Sequence, residues 1–333
     1  MGYEELGYKP TVDWEQLPSN VVHKDVPGVA VDNEDRVYLF TRYDHQVLVY
    51  TPEGEFIKAW GKGVFTNAHT INIGPDNSIF TTDNGDHTVR KFSLDGELLM
   101  TLGIPNHPSD TGYVPGVKAE IHPVEGVKYP GPPFNGCTDT VVAPNGDIYV
   151  SDGYQNCRIH RFNAKGDLLH SWGEVGSGPG QFRLPHSISL APDGRVYVAD
   201  RENDRVQIFS PDGEYLDELT DMHRPCGITV APDGTLYIGE LWRELGKRSF
   251  VEDSRGVNQP SRLTIIDSSG QLVGRFGDGD DKMAAGNLIA PHSVTTDSAG
   301  NLYIGQVTFT YGIGNGLVGD EVASHQITKF QKS

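Results

Sequence analysis

The stretch Arg183–Phe209, RLPHSISLAPDGRVYVADRENDRVQIF, holds two short runs of alternating apolar residues joined by APDG. Such runs read as half-buried strands, and an Asp-Gly pair between them is hairpin chemistry, because glycine takes the positive φ that the turn demands. The same framework recurs along the chain: GVAVDNEDRVYLF (Gly28–Phe40), TINIGPDNSIFTT (Thr70–Thr82), DTVVAPNGDIYVS (Asp139–Ser151), SISLAPDGRVYVA (Ser187–Ala199), GITVAPDGTLYIG (Gly227–Gly239) and SVTTDSAGNLYIG (Ser293–Gly305). Most copies continue into two further short runs separated by Gly turns, and no segment keeps a helical period over a dozen residues. Six repeats of four antiparallel strands predict an all-β, six-bladed β-propeller.

The sixth copy stops after its third strand, at HQITKFQKS, while YKPTVDWEQL precedes the first copy as an orphan strand. A strand from residues 9–17 beside 325–331 is therefore expected to complete the last blade and close the ring, removing an open edge. The whole chain, 1–333, then reads as one domain. Three insertions exceed the repeat: 104–135 between a fourth strand and the next first strand, and 243–260 and 309–325 between second and third strands. In an up-and-down blade these connections emerge on one face, which suggests a partly covered site there.

The residue six positions before the turn proline, or its equivalent, is in order Pro27, His69, Thr138, His186, Cys226 and His292. Histidine thus falls in alternate blades, at the start of the innermost strand. Three imidazoles about 120° apart converge on the axis, and three His ligands with an open fourth position is a catalytic zinc arrangement. Other divalent metals that favour imidazole remain open. One polar residue capping a strand would be unremarkable, whereas threefold recurrence at one blade position points to a metal.

Arg42 and Arg201 leave the second strands of opposite blades at matched positions, and Tyr154 follows in the SDGY of blade 3. Paired guanidinium groups beside a metal suit a carboxylate-bearing small molecule. A tyrosine close to a cation can serve as a base. Each arginine has a plain alternative role, an ion pair with a neighbouring acid such as Glu202 or Asp44. His45 and His87 match Asp204 in the second turn and read as turn residues. Cys226 reads as a space-filling channel residue. Cys137 and Cys157 lie in one blade, which leaves both a disulfide and two free thiols open.

Composition narrows the partners. A formal charge of −18 without a basic block argues against nucleic acid or an anionic membrane as partner. No apolar run is long enough to cross a membrane as a helix, and the acidic N-terminus lacks a secretory h-region. Three cysteines fit a reducing compartment, so a cytoplasmic location is expected.

Taken together, SDGYQN, GQFRLPHS and VADREN make the repeat resemble the NHL repeat, in an arrangement similar to the lyase domain of the peptidyl-alpha-hydroxyglycine alpha-amidating enzymes. The resemblance implies that His69, His186 and His292 hold zinc, that Tyr154 acts at the metal, and that Arg42 and Arg201 hold the substrate. It implies cleavage of the N–C bond of an α-hydroxyglycine to an amide and glyoxylate. Ser293 stands where the family uses an aspartate at a structural calcium, which argues against calcium here, and Ala290 replaces a pocket methionine. The family's cysteine pairs have no counterparts at matching positions, and no monooxygenase domain precedes the propeller. The expected activity is therefore a zinc-dependent carbon–nitrogen lyase acting on a small carbinolamide. The alternatives are a zinc-dependent hydrolase or hydratase on another small polar substrate, and a non-catalytic propeller that binds a protein or peptide.

Overall fold

The computed structural model describes residues 2–43, 47–114, 126–246, 256, 258–320 and 325–333. Among these residues, six four-stranded antiparallel sheets follow one another around an axis, with almost no helix, as a six-bladed propeller. Blade 4 is typical: Pro185–Leu190 is innermost, followed outward by Val196–Asp200, Arg205–Phe209 and Tyr215–Leu219. The innermost strands of the others are Gly28–Val31, Ala68–Ile73, Cys137–Val142, Pro225–Val230 and Pro291–Thr296. No helix among the described residues is long and apolar enough to cross a membrane.

The core consists of apolar wedges between adjacent blades. Phe40, Val47 and Val49 of blade 1 pack with Ile71, Ile79 and Phe92 of blade 2. Between blades 5 and 6, Tyr237, Leu263 and Phe276 meet Val294, Ile304 and Phe330. Each buried large side chain contributes about 1.5–3 kcal/mol, and the ring spreads this gain over every blade junction.

The last blade is closed by Tyr8–Thr11, which pairs antiparallel with Ile327–Lys332. The closing strand is shorter than the expected 9–17. Beyond Thr11 the chain leaves the edge, and Trp14 packs against Tyr50 and Tyr303, on blades 1 and 6, at ring centroid distances of 5.6 and 5.3 Å. The Trp14 side chain is buried in that wedge, 4% exposed, and its indole Nε1 donates to Pro52 O at 2.9 Å.

One device recurs that sequence reading missed. A side chain ending the second strand catches the backbone amide three residues before the channel position of its own blade. Asp83 accepts from Thr66 N at 2.6 Å, Asp152 from Asn135 N at 2.9 Å, and Asp200 from Arg183 N at 2.7 Å. Glu240 accepts from His223 N at 2.7 Å, and Gln306 Oε1 from Ile289 N at 2.8 Å. Immediately after this brace, the first pair of strands shifts register at the channel residue itself, as at Pro185/Ser187 and Pro291/Ser293. The bulge leaves the channel residue outside the ladder and re-aims its side chain. The available signal was the recurring acid or amide in TTD, VSD, VAD, IGE and IGQ.

Candidate metal and substrate site

His69, His186 and His292 are buried at the bulges of blades 2, 4 and 6, and their rings lie 4.7–4.9 Å apart, centroid to centroid. Their potential ligand atoms all fall within 4.8 Å of one another, and among the described residues they are the one group of three such side chains able to share an ion. The intervening blades orient them. His69 Nδ1 meets Thr138 O at 2.5 Å, His186 Nδ1 meets Cys226 O at 2.9 Å, and His292 Nδ1 meets Pro27 O at 2.7 Å. A carbonyl can only accept, so each Nδ1 carries the proton and each Nε2 lone pair faces the axis. This is the tautomer that a metal ligand needs. The residues at the channel position in blades 1, 3 and 5 thus contribute through their backbone, which no side-chain pattern could reveal.

Burial, first of all, pushes all three imidazoles well below their ordinary range. Nearby positive charge adds to it: Arg42 for His69 and His292, Arg201 for His186. Neutral imidazoles are the form that binds divalent cations. The donor set, its tautomers and its charge state fit one divalent ion.

Tyr154 reaches the same point. Its hydroxyl is 3.0 Å from His69 Nε2 and 3.2 Å from His186 Nε2. Gly153 allows this approach, since a Cβ there would stand 2.2 Å from Pro185 O, the carbonyl just before His186. Arg201 lies over the Tyr154 ring, with Cζ 5.8 Å from the centroid. The Arg201 side chain is 9% exposed, and its Nε donates to Glu202 Oε1 at 2.9 Å. The neighbouring acid expected for Arg201 is therefore its partner, but the pair is buried beside the histidines, not on the surface. Arg42 contacts Ala68 O at 3.2 Å through Nε and Asp25 Oδ2 at 3.5 Å through Nη1. Its partner is thus Asp25; Asp44, the expected one, and His45 lie outside the described residues.

The remaining candidates have structural roles. His87 sits at φ 62° and Asp204 at φ 53°, the same left-handed turn conformation in two blades. The His87 ring accepts Gly136 N at 3.0 Å through Nδ1. Cys226 is buried, with Sγ 3.9 Å from His186 Nε2, and burial pushes its thiol up to about 11. Cys137 and Cys157 are free buried thiols, which removes the disulfide alternative. They belong to different wedges, between blades 2 and 3 and between blades 3 and 4. Parts of 104–135, 243–260 and 309–325 lie outside the described residues. Within the third, Thr308–Ile313 forms a π-helical turn against Asp25.

Comparison with known proteins agrees with this architecture. The NHL repeat matches residues 134–162 and 182–209. Mouse NHL repeat-containing protein 3 is 32% identical over 273 residues, covering 77% of this chain and 74% of that protein. The chain belongs to the NHL-repeat family. It is also similar to mouse peptidyl-glycine alpha-amidating monooxygenase, 31% identical over 318 residues, covering 84% of this chain but 29% of that protein. A probable peptidyl-alpha-hydroxyglycine alpha-amidating lyase of Caenorhabditis elegans is 35% identical over 221 residues, covering 61% of this chain and 58% of that protein. Among solved structures, virginiamycin B lyase from Staphylococcus aureus shares the fold, with a TM-score of 0.56 at 17% identity over 89% of this chain and 81% of that one.

Proposed function

We propose that this propeller is a zinc-dependent carbon–nitrogen lyase that cleaves a small α-hydroxyglycine-type carboxylate to an amide and glyoxylate. The observation that carries the reading is the convergence of three Nε2 atoms, Tyr154 and Arg201 on one buried point. Similarity to the C. elegans lyase supports the reaction type.

Arg42 and Arg201 bind the substrate carboxylate and fix the hydroxyl-bearing carbon over the histidine triad. Zinc held by the three Nε2 atoms would supply a Lewis acid at the substrate oxygen. Tyr154 Oη takes the hydroxyl proton as it passes its own proton to the departing nitrogen. The O–H electron pair becomes the new C=O bond, and the C–N pair passes to nitrogen, which is protonated to give the amide. The buried setting excludes bulk water, which favours elimination over hydrolysis.

The test is glyoxylate release from N-acetyl-α-hydroxyglycine and from ureidoglycolate, with metal content measured on the same sample. Turnover of either, lost on chelation and restored by zinc, supports the lyase. A zinc-loaded protein inert towards both compounds would favour the hydrolase or hydratase alternative, and one that holds no metal would favour a binding propeller.

A further inference from the structure

The two arginines at the site share an unexpected connection: one short segment of the chain is bonded to the acid beside Arg42 and to the arginine that holds the acid beside Arg201. Thr308–Ile313 lies in the connection between the second and third strands of blade 6. On one side, Asp25 Oδ1 accepts Phe309 N at 2.9 Å and Thr310 N at 3.1 Å, while Thr310 Oγ1 donates to Asp25 Oδ2. That same Oδ2 faces Arg42 Nη1 at 3.5 Å. On the other side, Arg224 Nη1 donates to Tyr311 Oη, whose hydroxyl in turn donates to Trp242 O at 2.6 Å. Arg224 Nη2 holds Glu202 Oε1 at 3.0 Å, and this oxygen is the partner of Arg201 Nε. Adjacent residues, Thr310 and Tyr311, therefore reach both arginines, Thr310 through Asp25 and Tyr311 through Arg224 and Glu202.

An acid beside a substrate-binding arginine competes with the substrate for the same guanidinium. Asp25 is nearly fully buried and would neutralise Arg42 if free to close on it. The two amides and the hydroxyl of the segment occupy its oxygens and leave the Arg42 contact long. Glu202 Oε1 is similarly held by Arg224, which bonds to Tyr311, while Oε2 lies 3.8 Å from Arg243 Nη2, and Glu202 orients Arg201 by accepting from its Nε. We propose that Asp25 and Glu202 are positioning residues, and that docking of Thr308–Ile313 on Asp25 and, through Arg224, behind Glu202 is what leaves Arg42 and Arg201 available to a carboxylate. This rests on the reading of those arginines as the carboxylate grip.

The experiment uses full-length, zinc-loaded protein and two unreactive probes, N-acetylglycine and its neutral counterpart N-acetylglycinamide, with affinities measured by calorimetry. Thr310→Val removes the hydroxyl from Asp25, and Tyr311→Phe removes the bond to Arg224 while keeping the ring. Each should weaken N-acetylglycine by about three- to tenfold, the net worth of one ordinary hydrogen bond, with the carboxamide unchanged. Melting temperatures identify a variant that has not folded, and the other variant then decides. If the parent prefers the carboxylate and both folded variants keep that preference, the coupling is overturned while the arginine reading stands. Equal losses for both probes would mean a merely structural role and also overturn it. A parent without preference for the carboxylate overturns the arginine reading and this inference together.

Discussion

At the scale of single residues, the histidines and their neighbours should fail in different ways. Replacing His69, His186 or His292 by Ala leaves two imidazoles at the axis, so zinc content should fall well below one per chain, as read by elemental analysis after dialysis. Full occupancy in all three variants would remove the site. Tyr154→Phe keeps the ring under Arg201 and removes no ligand, so metal should stay while kcat drops by about 10²–10⁴-fold, the usual weight of a general base. Arg42→Ala and Arg201→Ala should instead act mainly on KM, because their contacts form before the bond breaks. A Tyr154→Phe enzyme as fast as the parent would take the tyrosine out of the chemistry. Residue types and their repeat positions were enough to single out these six side chains as candidates. Glu202 beside Arg201 was legible as a neighbouring acid, but the more distant partners were not: Asp25 lies 17 positions from Arg42, and Arg224 lies 22 from Glu202.

At the scale of elements, the brace and the bulge explain why the channel position is precise. Asp200 is buried and accepts Arg183 N, Asn203 Nδ2 at 2.7 Å and Arg205 Nε at 2.9 Å. Asp200→Ala removes one partner of the buried Arg205 guanidinium, which keeps Glu218 and the carbonyls of Gly178 and Gln181, and frees the loop before His186, which should cost roughly 1–3 kcal/mol in urea unfolding. A loss under about 1 kcal/mol would show that the brace is dispensable. The segment between the closing strand and blade 1 carries a different charge device. His23 is buried, which by itself disfavours its charged form, but Glu15 at 2.8 Å outweighs burial and raises it above its ordinary value of 6.5. A raised folded-state value means that the protonated pair stabilises the fold fully below pH 6.5, and that this contribution is lost as pH rises through the folded-state value. The melting temperature should therefore fall as pH rises above 6.5, and His23→Gln should flatten that slope. An unchanged slope would assign the pH dependence elsewhere.

At the scale of the whole molecule, ring closure is the shared support of the site, because His292 and Pro27 meet across the junction of the last and first blades. Deleting residues 2–11 exposes the edge of Ile327–Lys332 and uncovers Phe330, which Tyr3 and Tyr8 help to cover. The truncated protein should melt at lower temperature and show weaker zinc retention, since a loosened junction frees the Nδ1 partner of His292. Parent-like melting and zinc retention would show that the six sheets hold the ring without the closing strand.

The sequence by itself determined the blade count, the closure of the ring by its own N-terminus, and the alternation of histidines at the channel. Each follows from periodicity, because strand alternation and turn chemistry are local and the repeat converts position along the chain into angle around the axis. Only the tertiary structure decided which atoms complete the site. The carbonyls of Pro27, Thr138 and Cys226 fix the histidine tautomers, and a backbone group carries no residue-type signal. Asp25, which faces Arg42, Arg224, which holds Glu202, and the Thr310–Tyr311 pair that engages Asp25 and Arg224 come from distant segments and from an insertion that breaks the repeat. Such contacts are set by packing between distant segments, where periodicity stops.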